Sequence, residues 1–300
     1  MPTPASPQRR PTLLIVGCGD IGMRVLKLLA RRWRVLALTP SPARCAELRA
    51  AGALPLLGNL DAPHTLSRLA GLADAVLHLA PPPTAGSTDP RTRHLLDALA
   101  RGGRVARLVY ISTSGVYGDC AGARFDETRA VRPATSRAQR RVDAERLCRW
   151  FGHRGGACVS ILRVPGIYAA DRAGGHPRER LQRGTAVLTA QDDVYTNHIH
   201  ADDLARACVA ALHCGAAMRV YHASDDTELK MGAYFDLAAE LCGLPRPPRI
   251  TRQQAQAQMS AMQLSFMSES RRLVNERLRR ELRLKLRYPT VREGLREQSR

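Results

Sequence analysis

The chain has little lysine and few aromatic residues, and both shortages bear on its partners. Lysine occurs only at Lys27, Lys230 and Lys285, yet the 300 residues include 46 Lys and Arg against 27 Asp and Glu, so the net charge of +19 is almost all arginine. Such an excess attracts acidic partners such as RNA or a phosphorylated substrate. Aromatic residues make up only 4% of the chain, which leaves no stacking platform for single-stranded nucleic acid. We therefore do not expect nucleic acid to be the main partner.

Long apolar runs and paired cysteines are also missing. No window approaches the roughly 18 apolar residues of a membrane-spanning helix, and the N-terminal MPTPASPQRRP carries no apolar stretch of signal-peptide length. The eight cysteines form no C-x-x-C pair and no zinc-ligand spacing. These absences predict a cytoplasmic protein with reduced thiols, no membrane contact and no metal site.

A glycine-rich turn follows the first apolar run. Leu13–Val16 reads as a strand buried on both faces, Gly17, Gly19 and Gly22 follow in G-x-G-x-x-G spacing, and residues 21–32 read as a helix. In this arrangement one glycine makes the turn, the second admits a pyrophosphate to the backbone, and the third packs the helix on the strand. The spacing therefore predicts a dinucleotide site formed by Gly17, Cys18, Gly19, Asp20, Ile21 and Gly22.

Strands and helices alternate through the first two-thirds of the chain. Further short apolar runs at 34–38, 53–57, 75–79, 107–111 and 158–163 are separated by helical stretches. This alternation is typical of an α/β fold with a doubly wound parallel sheet. Ligands of such sheets bind at the carboxyl ends of the strands. We expect the loops after Val16, Leu38, Leu57, Leu79 and Ile111 to line one cleft.

The end of the second predicted strand bears on the choice of dinucleotide. NAD-binding sites usually carry an Asp or Glu there, which binds the ribose 2′-hydroxyl. Here the strand ends in Thr39, with Ser41 and Arg44 close behind and no acid before Glu47. Arg44 could pair with a 2′-phosphate, and the two hydroxyls could donate to it. This pattern favours NADP over NAD, while a helix-capping role remains the alternative for Ser41.

Several motifs together resemble the extended short-chain dehydrogenase/reductase superfamily, in its NAD-dependent epimerase/dehydratase branch. In chain order they are VGCGDIG at 16–22, DAVLHLA at 74–80, YISTSGVYGD at 110–119, ILRVPGIY at 161–168, HIHADDLA at 198–205, YHAS at 221–224 and LRYPTVREGL at 286–295. The resemblance implies a Rossmann-type domain over 12–165, to which 198–223 returns. It also implies a smaller C-terminal substrate lobe built from 166–197 and 224–300.

The resemblance also implies site roles. Asn59 and Leu60 would lie near the adenine, Ala80 and Pro81 beside the ribose, and Pro165 and Gly166 along the nicotinamide. Thr113 stands where the family keeps the Ser or Thr that hydrogen-bonds the reacting oxygen. Arg163, His200 and Asp203 match positions that mainly tie the two lobes together. A structural role is also expected for His198, since no third metal ligand is fixed near the two histidines.

The family's Tyr-x-x-x-Lys pair is absent. Aligning Pro133 and Glu145 places Arg137 at the tyrosine and Arg141 at the lysine. Arginine stays protonated at physiological pH and cannot exchange the proton that the tyrosine would, although Arg141 could still bind the cofactor ribose. Tyr117 is a candidate replacement acid, with a packed ring and a bonded hydroxyl as the alternative interpretation. The pattern resembles an atypical subgroup of the superfamily that has lost this pair.

Three functions follow from these features. The first is an NAD(P)-dependent oxidoreductase or epimerase acting on an unidentified small molecule, as a monomer or homodimer. The second is a non-catalytic NAD(P)-binding redox sensor or regulator, which the loss of the Tyr-Lys pair favours. The third is a nucleic-acid-associated protein. A basic cluster of Arg271, Arg272 and Arg277 hints that the small molecule is anionic.

Overall fold

The computed structural model describes residues 10–29 and 32–296. The strands are β1 (Thr12–Val16), β2 (Arg34–Thr39), β3 (Leu54–Leu57), β4 (Ala75–His78), β5 (Arg107–Thr113), β6 (Arg124–Phe125), β7 (Cys158–Val164), β8 (Gly166–Tyr168), β9 (Val187–Leu188), β10 (Tyr195–Thr196), β11 (His198–His200), β12 (Arg219–His222), β13 (Leu229–Lys230), β14 (Arg249–Ile250) and β15 (Arg272–Leu273). The helices are α1 (Asp20–Leu28), α2 (Cys45–Ala50), α3 (Pro90–Ala100), α4 (Ser136–Gly155), α5 (Arg178–Gln182), α6 (Ala201–Cys214), α7 (Met231–Cys242), α8 (Arg252–Gln258), α9 (Ala261–Phe266), α10 (Glu276–Arg280) and α11 (Val291–Arg296). Short 3₁₀ turns lie at Pro42–Arg44, Pro63–Leu69 and Ser114–Tyr117.

Seven strands form one parallel sheet in the order β12-β7-β5-β4-β1-β2-β3. The predicted α/β doubly wound sheet is therefore confirmed. The chain leaves β1 towards β2 and β3 and then crosses back to β4, so the strand order reverses beside β1. The glycine turn after Val16 thus lies where this fold binds its ligands.

The apolar run of β1 serves two cores at once. Leu13 and Ile15 pack in the core on the α1 and α6 side of the sheet, whereas Leu14 and Val16 pack in the core on the α3 and α4 side. All four side chains are buried. Alternate residues of a strand face opposite sides, so helices on both faces account for the unbroken hydrophobic run.

A third core belongs to the smaller lobe. It joins α5, α7 and α11 through residues such as Leu181, Phe235 and Val291. The lobe differs from the expected division in one stretch, because Leu278, Leu282, Leu284 and Leu286 pack in the core on the α1 and α6 side of the sheet. The sequence pattern of alternating leucines over 282–286 does not indicate whether they pack in the core of the smaller lobe or in that of the sheet.

The remaining differences lie mainly at helix ends. Helix α1 ends at Leu28, ahead of the expected end at 32, and residues 30 and 31 lie outside the described part, as do residues 1–9. Residues 227–288 form α7, α8, α9 and α10 together with three short strands, of which β13 precedes α7, β14 lies between α7 and α8, and β15 lies between α9 and α10. Gly243 ends α7 with φ +63°, and Thr251 and Ser260 each begin a new helix with a capping box. No helix in the described ranges is long and apolar enough to cross a membrane.

Candidate active site

The glycine turn approaches the loop that follows β4. Gly17 has φ +84°, and a side chain there would place its Cβ 2.5 Å from the Ala80 nitrogen. The Gly19 N–H donates to the Gly17 carbonyl oxygen over 2.8 Å, which closes the turn. A Cβ at Gly19 would meet no atom within 4 Å. The turn therefore presents open backbone at Gly19, which fits the close approach of a pyrophosphate.

Helix α1 is attached to the turn by packing and by charge. Gly22 lies against Cys18 and Ile15, since a Cβ there would come within 2.9 Å of Cys18 Sγ. Burial raises the pKa of the Cys18 thiol to about 11, so this cysteine stays protonated. The Asp20 carboxylate accepts hydrogen bonds from Arg24 over 3.0 Å and from Arg172 over 2.5 Å.

Ile21, the remaining residue of the motif, packs against the same core as β1. Arg172 belongs to the smaller lobe, so its bond to Asp20 fixes the stretch after β8 against the first turn of α1. Of the predicted glycine-turn residues, Gly17 and Gly19 thus form the turn, and the others lie in helix α1 or pack against it.

The end of β2 brings Arg44 back to the glycine turn. One Arg44 nitrogen donates to the Cys18 carbonyl oxygen over 2.8 Å, and the other two donate to Glu47 over 3.0 and 3.2 Å. The Thr39 hydroxyl accepts from the Ser41 N–H over 3.2 Å, and the Ser41 hydroxyl makes no capping bond. Ser41 thus occupies the N-cap position before Pro42–Arg44, as the capping alternative predicted, but without the side-chain hydrogen bond of a cap. The sequence also gave no sign that Glu47 would partly neutralise Arg44.

The loops after β3 and β4 are both held by helix α3. The Asn59 side chain accepts from the Asp61 N–H over 2.9 Å, and the Leu60 carbonyl oxygen lies 2.8 Å from His94 Nδ1. Arg91 pairs with the Asp61 carboxylate at 2.6 Å and donates weakly to the Pro81 carbonyl oxygen at 3.4 Å. Asn59 and Leu60 are thus held by α3 at the carboxyl edge of the sheet.

A cavity of about 690 Å³ lies between the sheet and the smaller lobe. It brings together five of the predicted residues, which are Pro81, Thr113, Arg141, Pro165 and Gly166. None of residues 17–22, 39–44 or 59–60 lines it. The loops after β1, β2 and β3 therefore lie outside this cavity, contrary to the expectation that they would line one cleft together with the loops after β4 and β5. The smaller lobe supplies the opposite wall through α5, α7 and the stretches 195–198 and 265–271.

Thr113 and the two substituted positions form the sheet-side wall. The Thr113 hydroxyl accepts the Gly115 N–H over 3.2 Å and caps the turn that follows β5. Arg141 donates to the Ile111 carbonyl oxygen over 2.8 Å and to the Tyr110 hydroxyl over 3.0 Å. Arg137, one helical turn earlier, lies 4.6 Å from the centre of the Phe266 ring and also lines the cavity. Both guanidinium groups thus lie in the same cavity as Thr113.

The structure contradicts the prediction of Tyr117 as a replacement acid. Its side chain is 1% exposed and does not line the cavity. Its hydroxyl lies 2.6 Å from His222 Nε2 and accepts from Arg163 over 2.7 Å. Burial raises the Tyr117 pKa to about 12. The packed alternative is correct, because the ring fits against Phe125 and His222 on the inner side of the turn.

Two of the lobe-tying residues act as the resemblance implied. The buried Asp203 carboxylate accepts the N–H groups of Arg287 and Tyr288 over 2.9 and 2.8 Å. The centre of the His200 ring lies 3.9 Å from that of the Tyr288 ring, and the His200 side chain also caps α6 by accepting the Asp202 N–H over 3.2 Å. Arg163 instead lies within the sheet domain, where it binds Glu145 of α4 through two nitrogens at 3.0 and 2.8 Å.

His198 is a cavity residue that the sequence did not single out for chemistry. Its ring stacks on Tyr234 at 4.2 Å, and a Cβ at Gly166 would lie 3.6 Å from its Cδ2. Its Nδ1 is buried without a hydrogen-bond partner, and burial lowers its pKa to about 4. His198 is therefore neutral at physiological pH. Within 10–29 and 32–296, no three His, Cys, Asp or Glu side chains are grouped to hold a metal.

Comparison with known proteins agrees with this geometry. The sequence model of the NAD dependent epimerase/dehydratase family matches residues 13–223. The chain is 26% identical over 247 residues to 4-hydroxy-2-methyl-3-oxo-4-farnesyl-3,4-dihydroquinoline-1-oxide ketoreductase of Stigmatella aurantiaca, covering 78% of this chain and 73% of that protein. It is 28% identical over 245 residues to Protein YeeZ of Escherichia coli strain K12, covering 78% and 84%.

Solved structures share the fold of this chain. A functionally unknown conserved protein from Silicibacter pomeroyi matches with a TM-score of 0.80 and 29% identity over 96% of this chain and 98% of that one. UDP-glucose 4-epimerase from Thermotoga maritima, solved with UDP-glucose, matches with a TM-score of 0.76 and 19% identity over 96% and 97%, which shows the shared fold. The chain belongs to the NAD-dependent epimerase/dehydratase family.

Proposed function

We propose that this protein is an NADP-dependent oxidoreductase that reduces a carbonyl group on a small molecule to a hydroxyl group. The observation that carries the proposal is the shared cavity of Thr113, Arg141, Pro165 and Gly166, beside an open glycine turn. Membership of an NAD-dependent family supports a nicotinamide cofactor, and the open backbone at Gly19 fits its pyrophosphate. A nicotinamide held there would supply the hydride for the reduction.

The residues of the cavity favour reduction over epimerisation. The Thr113 hydroxyl donates a hydrogen bond to the substrate oxygen. Arg141 remains charged and stabilises the negative charge that develops on that oxygen, as a fixed electrostatic environment does elsewhere. Neither Arg141 nor Arg137 can take a proton from a hydroxyl and return it, which an epimerase requires. His198 is neutral, so water supplies the proton that completes the alcohol. The ketoreductase relative supports the same direction.

The choice of NADP depends on Arg44. Its guanidinium lies on the Cys18 carbonyl oxygen, next to the glycine turn, and Thr39 stands where a carboxylate would repel a 2′-phosphate. Glu47 competes for the same guanidinium. A 2′-phosphate would share Arg44 with Glu47 or displace it.

One observation favours a second function, a non-catalytic NAD(P)-binding sensor. With arginine at both Tyr and Lys positions and Tyr117 buried, the cavity has no proton relay of the family's type. Restoring the pair as Arg137→Tyr with Arg141→Lys separates the alternatives. We expect the double variant to change the rate or pH profile of an oxidoreductase, whereas a sensor should remain inactive with every carbonyl substrate tested.

Calorimetric titration with NADPH, NADP, NADH and NAD tests the proposal. We expect the NADP pair to bind more tightly than the NAD pair, and Gly19→Ala to weaken all four by filling the open backbone. Gly155→Ala is the matched control, because a Cβ at that exposed position on α4 also meets no atom within 4 Å. Unchanged dinucleotide affinity in Gly19→Ala, or no binding by the wild-type protein, would refute the proposed cofactor site.

A further inference from the structure

The cavity carries more positive charge than its own carboxylates neutralise. Five arginines line it, Arg137, Arg140, Arg141, Arg180 and Arg271, against one carboxylate, Glu269. Glu269 pairs with Arg271 at 2.6 Å. The other four have no carboxylate within 4.0 Å among the residues that the structure describes.

The arginines that the sequence suggested for an anion are paired within the protein. Besides Arg271, Arg272 pairs with Glu228 at 3.5 Å and Arg277 with Glu127 at 3.4 Å. These groups already have their counter-charges. We therefore expect an anionic ligand to bind other arginines of the cavity and not this cluster.

Two of the four remaining arginines are engaged with the backbone. Arg141 donates to the Ile111 carbonyl oxygen, and Arg140 donates to the Gly86 carbonyl oxygen over 2.5 Å. The guanidinium groups of Arg137 and Arg180 make no hydrogen bond to a protein group within the described ranges. Instead each lies over an aromatic ring, Arg137 at 4.6 Å from the Phe266 centroid and Arg180 at 4.5 Å from that of Phe235.

This arrangement suits an oxyanion. Each guanidinium lies over a ring, which accepts no conventional hydrogen bond, so its N–H groups keep the fork geometry that matches phosphate and carboxylate. Burial lowers the pKa of Arg180, yet a guanidinium cannot shed its charge as a buried amine can. An unpaired, partly buried cation is costly until an anion joins it.

We propose that Arg137 and Arg180 bind a phosphate or carboxylate group of the substrate, an inference that rests on the oxidoreductase function proposed above. Arg137 comes from α4 on the sheet side and Arg180 from α5 on the lobe side. The anion would thus join the two walls and hold the substrate beside Thr113. The phosphates of the cofactor are not the expected occupant, because the glycine turn lies outside this cavity.

The test is titration of the dinucleotide-free protein with inorganic phosphate and, separately, oxalate. We expect Arg137→Gln and Arg180→Gln each to weaken binding of the preferred probe about tenfold, as loss of a charge-assisted hydrogen-bond partner should. Arg146→Gln removes the same charge from an exposed position on α4 and should change affinity less than twofold, as a distant screened charge should. Preference for phosphate or for oxalate identifies which oxyanion the substrate carries.

Three results would overturn the proposal: binding of neither probe, equal losses in Arg146→Gln, or binding lost in Gly19→Ala but kept in the Arg137 and Arg180 variants. The last would place the phosphate on the glycine turn and would support the cofactor site instead. Oxyanion binding without dinucleotide binding would refute the proposed function while the oxyanion site stands. In the wild-type protein, the probe should also slow phenylglyoxal modification of Arg137 and Arg180 but not of Arg146, a readout independent of variant folding.

Discussion

Arg163 and Arg137 present the same charged group on neighbouring elements of the sheet domain, β7 and α4, in opposite surroundings. The Arg163 side chain is 5% exposed, and all three of its nitrogens bind Glu145 or the Tyr117 hydroxyl. The Glu145 carboxylate, 1% exposed, also accepts the Ser112 hydroxyl over 2.7 Å. Arg137 is exposed, lines the cavity and lies over the Phe266 ring. One arginine completes a buried network, and the other has no hydrogen-bond or carboxylate partner for its side chain within 10–29 and 32–296.

The difference shows that pairing, and not the number of arginines, indicates where an anion binds. A net charge of +19 is spread over positions of both kinds. Arg24 illustrates the paired kind, because three carboxylates surround it, from Asp20, Asp171 and Asp202. Such networks are already neutralised and attract no ligand. Function is expected where the fold leaves an arginine unpaired inside a cavity.

The largest expected effect comes from breaking the paired kind. Arg163→Met would leave the Glu145 carboxylate buried without its main partner, which should lower the free energy of unfolding by about 3–5 kcal/mol. Urea denaturation followed by circular dichroism measures it. Arg146→Met, at an exposed position, is the control and should change stability by less than about 0.5 kcal/mol. A loss below about 1 kcal/mol for Arg163→Met would mean that the pair is not a structural element.

His198 can be compared with the unpaired arginines, because its buried imidazole also lacks a hydrogen-bond partner at Nδ1. Unlike an arginine, it responds to burial by losing its proton. Burial holds the His198 pKa at about 4, below its ordinary value of 6.5. Between pH 4 and pH 6.5 this histidine binds a proton in the unfolded chain but not in the folded protein. Its contribution to the free energy of unfolding is therefore fully present above pH 6.5 and is lost as the pH falls towards 4. His78 and His222, each held at about 3, act in the same direction.

The variant His198→Phe removes one of these groups while keeping a ring against Tyr234. The loss of unfolding free energy between pH 7.5 and pH 5.0 should be smaller than in the wild-type protein by about 2 kcal/mol. Urea titrations at both pH values measure it, and the pH 7.5 data control for any packing cost. Identical pH dependence in the two proteins would show that His198 titrates alike in both states.

Arg44 is intermediate between the paired and the unpaired arginines, because its partner Glu47 is exposed to solvent. Arg44→Ala should weaken NADP binding by roughly tenfold, because a charge-assisted bidentate contact is lost, and should affect NAD much less. Glu47→Gln frees the guanidinium and should strengthen NADP binding, more so at low salt. Calorimetry with both dinucleotides gives each variant its own control. Equal losses for NADP and NAD would refute the 2′-phosphate assignment.

Local patterns were sufficient for the sheet and the glycine turn. The run Leu13–Val16, the spacing of Gly17, Gly19 and Gly22, and the alternation of strands and helices each depend on neighbouring residues, so the sequence predicted them and the structure confirmed the fold. Thr113 and Arg141 were placed in one cavity by a family resemblance that spans the chain. These parts needed no knowledge of distant contacts.

What could not be predicted depends on contacts between distant residues. Arg277 and Glu127 are 150 positions apart and pair across the fold, so Arg277 looked free in the sequence. Tyr117 looked available because its bonds to Arg163 and His222 join β7 and β12 to the turn after β5. Arg180 lies in an arginine-rich stretch without any motif. Only the folded structure shows that none of the described carboxylates lies within 4.0 Å of its guanidinium.

The smallest expected effect has the opposite sign to the first. Arg180→Met removes an unpaired cation from beside Phe235 while keeping an apolar chain against the ring. With no anion bound, the free energy of unfolding should stay within about 0.5 kcal/mol of the wild-type value or rise slightly. No described protein group loses a hydrogen-bond or ion-pair partner, and a partly desolvated charge is removed. Added phosphate or oxalate should then stabilise the wild-type protein more than the variant, because binding to the folded state alone raises its stability. A loss comparable with that of Arg163→Met would mean that Arg180 belongs to the structural kind, and the two kinds of arginine would no longer be distinct.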